Sequence, residues 1–277
     1  MKPFALKFVT TAFLSASLAL GAAPLNAGSS ADLKLSGSST VAPLMLEIGA
    51  RYEDQINDDV RVFVETGGSS KGIADLRKDL ADIAMVSRSL KSEESDLTAY
   101  TIARDGIAVV VHDSNPVANL SPDQVHDIFT GNITNWSQVG GPNQDIIVIS
   151  KAEGRATFVV FNGYLGLKGS DIDADVIVGE NVQMIKTVSQ SEQAIGYVSI
   201  GAASVNIEFG SPIKLISLSD AEATVANVSN GSYQPTRPLN LVTKADPGEG
   251  IMQLIDYSKT DAVADLIVEL TFSPATE

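Results

Sequence analysis

Apolar and polar positions along this chain fall into short blocks that switch repeatedly between the period of a strand and that of a helix. Leu33 and Leu35 end a strand, Gly37, Ser38, Ser39 and Thr40 form a polar turn, and Val41, Leu44, Met45, Ile48 and Tyr52 then recur at helical spacing. Pro43 sits in the first helical turn, where its missing N–H costs nothing. The β-branched run Val60–Glu65 predicts a second strand, and Ile73, Leu76 and Leu80 share one face of a helix over Lys71–Leu80. Asp82–Ser87 is a short buried strand, and Gly106–His112 is apolar enough for the middle of a sheet. Asn115-Pro116 breaks the pattern and marks a crossing between domains.

A second unit follows. Ser121 caps a helix carrying Val125, Ile128 and Phe129, and the loop Thr130–Gly141 holds Trp136, which together with Phe129 reads as core. Ile146–Ser150, Val176–Val178 and Ala194–Ser199 are strands, with helices over Thr157–Leu165 and from Asn181. Pro235–Lys244 returns as an extended segment, and Gly250–Tyr257 and Asp261–Leu270 are closing helices. Strands alternating with helices imply an α/β fold with ligands at the carboxyl ends of the strands. The apolar strands on both sides of Asn115-Pro116 and the late return predict two lobes, residues 33–112 with 235–277 and residues 113–234.

Composition narrows the function. Residues 1–27 have the parts of a secretory signal: Lys2 and Lys7, then an apolar run rich in Ala, Ser and Thr, with cleavage near Ala27 and Ala23 as the alternative. That run is too short for a membrane span, and no later stretch is long and apolar enough, so no direct membrane insertion is expected. Removing residues 1–27 takes the net charge from −15 to about −17, which argues against nucleic acid and anionic membranes as partners. A small anion is not excluded, since a few amides and one or two cations decide affinity in a closed cleft. With no cysteine and only His112 and His126, neither a disulfide framework nor a metal centre is expected, and no cofactor is implied.

Four turns share one grammar, a strand followed by small hydroxyl residues and a helix start or tight bend: Ser38-Ser39-Thr40, Ser69-Ser70, Ser87-Arg88-Ser89 and Glu153-Gly154-Arg155-Ala156-Thr157. A helix start offers unpaired N–H groups and partial positive charge, a ready cradle for an anion. Arg88, Lys151 and Arg155 add cationic donors of the kind oxyanions select. Taken singly, each turn reads as a helix cap, Arg88 as a surface charge and Arg155 as a partner for Glu153. Four such turns at equivalent topological positions read as a binding site.

Gly37–Pro43, Gly67–Gly72, Asp82–Arg88, Ile128–Trp136 and Ala194–Val198, five motifs in order, resemble the phosphate-binding proteins of bacterial phosphate ABC importers over roughly residues 33–270. The resemblance implies a type II periplasmic binding-protein fold, in which two α/β lobes joined by two hinge strands close on the ligand. It also implies capture of inorganic phosphate in the periplasm by a non-enzymatic monomer that serves an inner-membrane ABC permease. Carried over by position, the ligand residues are Thr40 and Val41 with Ser39 beside them, Ser70, Ser87 and Arg88, and Arg155, Ala156 and Thr157. Lys151, Glu153 and Gly154 stand behind them. Two departures bear on selectivity. Arg88 stands where well-known members place an aspartate that accepts the proton of hydrogen phosphate, and Arg155 replaces a serine while Lys151 replaces an arginine. Weaker discrimination against sulfate is expected, with Glu153, the Ser87 hydroxyl or backbone carbonyls as substitute acceptors. The alternatives are a binding protein for sulfate, molybdate, tungstate or a phosphorylated small molecule, a secreted serine hydrolase using Ser39 or Ser70, and an adhesive exported protein. Against the hydrolase, no Gly-x-Ser-x-Gly elbow is present.

Overall fold

The structure, a computed structural model, describes residues 31–218 and 221–275, so the export segment read at residues 1–27 lies outside the described residues. The first half is built as expected. Strands β1 (Ala31–Gly37), β2 (Val60–Thr66) and β3 (Ile83–Val86) are parallel, with β1 in the middle. Helix α1 (Ala42–Gln55) buries Leu44, Met45, Ile48 and Tyr52, the stripe that its spacing predicts. Helix α2 (Ser69–Arg77) buries Ile73 and Leu76 but stops before Leu80, which is exposed rather than on the helical face.

Strand β4 runs from Thr98 to His112, eight residues longer at its start than the apolar run suggests. It organises the molecule. Its first part, through Gly106, pairs antiparallel with β9 (Thr236–Thr243), and Ile107–His112 pair with β7 (Ala194–Ser199) and β8 (Ile213–Ile216). The cores change accordingly. Ile102 and Ala103 pack with Leu35, Met45, Tyr52, Leu239 and Leu241, whereas Ile107, Val109 and Val111 pack with Phe129, Trp136, Phe161 and Tyr197. The passage from one core to the other thus lies inside β4, between Ala103 and Ile107, rather than at Asn115-Pro116.

The second half adds α3 (Pro122–Phe129), capped by Ser121, whose hydroxyl accepts from the Gln124 amide at 3.1 Å. Then come β5 (Ile147–Lys151), α4 (Ala156–Leu165), β6 (Val176–Val178) and α5 (Asn181–Ser189). Strands β5, β6 and β7 run parallel, giving the sheet order β2-β1-β3-β9-β4-β7-β5-β6. Helices α6 (Ile200–Glu208) and α7 (Val225–Ser229) and strand β8 had no clear periodic signal. Helices α8 (Glu249–Tyr257) and α9 (Ala264–Glu269) close the first core, and β10 (Ser273–Pro274) pairs with β4. Trp136 and Phe129 are fully buried, and Phe129, Phe161 and Tyr197 form an aromatic cluster with Phe161 stacked on Tyr197 at 3.8 Å. The architecture is the type II fold, two α/β halves flanking a cleft.

Candidate functional site

The carboxyl ends of β1, β2, β3, β5 and β6 point at the cleft, and four of them lead directly into helices α1, α2, α4 and α5. Their amino termini therefore converge, adding partial positive charge to one small volume. That volume is lined by Ser38, Ser39, Thr40, Gly68, Ser69, Ser87, Lys151, Arg155, Ala156, Thr157, Gly179 and Asn181, none of them acidic.

Each side is braced internally. The Ser38 hydroxyl accepts from the amides of Thr40 (3.1 Å) and Val41 (3.4 Å) and donates to Ser87 Oγ at 2.8 Å. Ser69 Oγ accepts from the Ser87 amide at 3.1 Å. Gly68 takes φ +95°, and a Cβ there would stand 2.8 Å from Arg155 Cδ, so the second glycine of the Gly67-Gly68 turn lets the backbone pass under that side chain.

Across the cleft, Asn181 Nδ2 donates to Thr40 Oγ1 at 2.9 Å and the Ser70 amide donates to the Gly154 carbonyl at 3.2 Å. The centre is held by Arg237, on β9 and 1 % exposed. Its Nη1 donates to Thr157 Oγ1 (2.9 Å) and, more weakly, to Ser87 Oγ (3.4 Å), while Nη2 donates to Thr40 Oγ1 (3.1 Å). Nε and Nη2 also reach Asp105 Oδ2 at 3.1 and 2.8 Å. Asp105 is anchored in turn, its Oδ1 accepting from the Gly201 amide at 3.2 Å. A buried guanidinium with one carboxylate behind it and hydroxyls in front is a fixed donor aimed into the cleft.

The other cations are placed differently. Lys151, at the end of β5 and 2 % exposed, donates from Nζ to Asn181 Oδ1 at 3.2 Å. Burial, with the nearby Arg237 and Arg155 charges, pushes its amine down to about 7. Its backbone amide donates to the Tyr197 hydroxyl at 3.0 Å, and burial pushes that phenol up to about 12. Arg155 lines the cleft, but its Nη1 is paired with Glu180 rather than Glu153.

The expected residues therefore divide. Ser39, Thr40, Ser87, Lys151, Arg155, Ala156 and Thr157 are brought together at the cleft. Val41 turns into the core behind α1, and Ser70 and Gly154 meet each other across the rim through backbone atoms. Glu153 is exposed and outside the lining, so it is not placed to accept from a bound ion. Arg88 turns away from the cleft. Its Nη1 and Nη2 each lie 2.7 Å from a carboxylate oxygen of Glu94, in a pair about 5 % exposed or less that locks the loop after β3. Glu94 lies beyond the motif, so nothing local announced this partner.

Arg237, Asp105, Asn181, Ser38 and Ser69 were not singled out as ligand groups. A charged residue inside an otherwise apolar strand was the available signal for two of them: Asp105 precedes the Gly106–His112 run, and Arg237 precedes Leu239–Val242.

The PBP superfamily domain matches residues 22–262. The phosphate-binding protein PstS of Borreliella burgdorferi is 27 % identical over 250 residues, covering 87 % of this chain and 88 % of that protein. A substrate-binding protein of a phosphate ABC transporter from Clostridium perfringens, solved with bound phosphate, superposes with a TM-score of 0.82 at 30 % identity, covering 88 % of this chain and all of that one. An ABC-type phosphate transport receptor from Vibrio cholerae gives 0.72 at 33 % identity, with the same coverage. With the cleft geometry, these likenesses establish that the chain belongs to the PBP superfamily, among its PstS-like phosphate-binding proteins.

Proposed function

We propose that this protein captures inorganic phosphate in the cleft and delivers it to an inner-membrane ABC permease, working as an exported, periplasmic monomer. Its two lobes are those the sequence proposes, residues 33–112 with 235–277 and residues 113–234, except that the crossing lies within β4, between Ala103 and Ile107, and Ile107–His112 go with the second lobe. It is a transport component and not an enzyme. The observation that carries the reading is the lining itself: helix amino termini, hydroxyls and the basic side chains of Lys151 and Arg155 face one point, Arg237 is bonded to the lining residues Thr40 and Thr157, and no lining residue is acidic. With the present hydrogen bonds made, the cavity is about 10 Å³, room for one water. A tetrahedral oxyanion enters by taking over the bonds that Arg237, Asn181 and Thr40 now make to one another, so the donors that shut the empty cleft become donors to the ligand.

The proposed ligand groups are Ser39, Thr40, Ser87, Arg155, Ala156 and Thr157 from the sequence motifs, joined by Ser38, Ser69, Lys151, Asn181 and Arg237. Arg88 serves the loop through Glu94. The hydrolase alternative finds no support, since His112 Nδ1 lies 2.7 Å from Ser114 Oγ and His126 lies beside Asp127, neither partnered with Ser39 or Ser70. Among the described residues no helix is long and apolar enough to cross a membrane.

Calorimetric titration of the mature protein with phosphate, sulfate and molybdate tests the reading. Saturable one-to-one binding of phosphate is expected, together with weaker binding of sulfate. Binding of sulfate or molybdate without phosphate would reassign the ligand, and binding of none would reject capture.

A further inference from the structure

Lys151 is the buried cation of the cleft that has no carboxylate partner. Arg237 has Asp105, Arg155 has Glu180 and Arg88 has Glu94. The Lys151 amine has one neutral acceptor, Asn181 Oδ1, and among the described residues no acid forms an ion pair with it. The groups that act on it from the surrounding elements are Arg237 on β9, Arg155 at the start of α4, and Glu180 and Asn181 at the start of α5, while Tyr197 on β7 holds the Lys151 backbone amide. Glu180 is engaged by Arg155 and Asp105 by Arg237, so each of these carboxylates is already held by a guanidinium.

An ammonium so placed is disfavoured twice, by loss of water and by the neighbouring guanidinium charges. The same position lies on the cavity wall, within the set of donors that would surround an anion. A dianion arriving there supplies the missing counter-charge.

We infer that Lys151 stands as a neutral amine in the ligand-free closed cleft above neutral pH and is protonated as phosphate enters, so that capture is coupled to uptake of one proton. This rests on the phosphate reading above and adds a condition to it. The proton comes from solvent and ends on Lys151 Nζ, so the complex gains one positive charge as it gains the dianion. Binding is therefore tightest where that proton is freely available. The lowered value of the amine, about 7, sets the point above which the affinity for the dianion falls, about tenfold per pH unit. An arginine at this position would stay charged and show no such fall.

The test measures proton uptake by calorimetry at about pH 8.5, titrating phosphate into the full mature protein in two buffers of different ionisation enthalpy. Uptake of about one proton per phosphate is expected for the wild type, and about none for Lys151→Met. Wild-type binding without proton uptake overturns the inference alone, as does equal uptake by the variant. Absence of saturable phosphate binding overturns the capture reading and this inference together. Should Lys151→Met fail to fold or bind, wild-type protein labelled at lysine Cε decides by NMR. One lysine titrating near pH 7 in the free protein, moved upward by phosphate, is the expected result. All lysines titrating in the ordinary range would overturn the inference.

Discussion

Replacing Arg88 with methionine separates a ligand residue from a loop brace. The guanidinium makes two 2.7 Å bonds to Glu94 and a 2.9 Å bond to the Ser89 carbonyl, and both partners of the ion pair are nearly inaccessible. Methionine keeps much of the volume but leaves the Glu94 carboxylate buried with only the Lys91 amide, at 2.9 Å. Removing one partner of such a pair costs about 3–5 kcal/mol, chiefly the penalty of the stranded charge. The loss depends on pH. Burial acts to raise the Glu94 value, but the Arg88 hydrogen bonds, the Lys91 amide and the Arg88 charge outweigh it, and the carboxyl sits below its usual range. A lowered carboxyl contributes stability that is present above its unfolded value, near about 4.3, and is lost as pH falls through the folded value. In the variant burial is opposed only by the Lys91 amide and charge, so Glu94 takes up a proton more readily, and the gap between variant and wild type narrows as pH drops from 7 towards about 4. Urea unfolding at both pH values measures this, and Arg88→Met with Glu94→Leu is expected to recover most of the loss. Phosphate affinity of the single variant should stay within about threefold, less than about 0.7 kcal/mol. A tenfold loss of affinity with stability unchanged would refute the assignment and return Arg88 to the cleft.

Other substitutions probe the cleft and its frame. Arg155→Ala should weaken phosphate binding by about 1.5–3 kcal/mol, the range for a charge-assisted hydrogen bond, and calorimetry within twofold of wild type would place it outside the site. Glu180→Gln removes the carboxylate that competes for Arg155, so phosphate should bind severalfold tighter; weaker binding would mean that the pair positions Arg155. Lys151→Met should stabilise the ligand-free protein most at pH 7 and below, and progressively less as pH rises. The unfolded lysine titrates near about 10.4 and the folded one near 7, so wild-type stability rises with pH across that window and the variant lacks this slope; equal gaps at pH 7 and 9.5 in denaturant unfolding would contradict it. At Gly72 a Cβ would stand 2.4 Å from the Ser36 carbonyl oxygen, so Gly72→Ala should cost about 1–3 kcal/mol by pushing α2 off β1, readable as a lower unfolding midpoint at unchanged slope.

Local pattern determined much of this protein by itself. The apolar stripe of α1, the cap at Ser121, the buried run Ile107–Val111 and the alternation of strands with helices follow from spacing and turn chemistry, because each is decided within about one turn or strand of chain. The same pattern placed hydroxyl-rich turns at the ends of β1, β2, β3 and β5, and therefore the class of ligand. Elements lacking a period, such as α6 with its even spread of small and apolar residues, were not legible, nor were residues 98–105, which form strand by pairing with β9 and, at Ala103 and Arg104, with β10. Only the tertiary structure decided which cations face the cleft. Arg88 and Arg237 are both arginines beside apolar strand residues, and the sequence does not distinguish them. One finds Glu94 six residues along and folds onto its own loop, while the other is carried by β9 to Asp105, 132 residues away, and held at the centre of the cleft. A buried charge goes where its counter-charge lies, and that distance is set by the pairing of the strands rather than by neighbours in the chain.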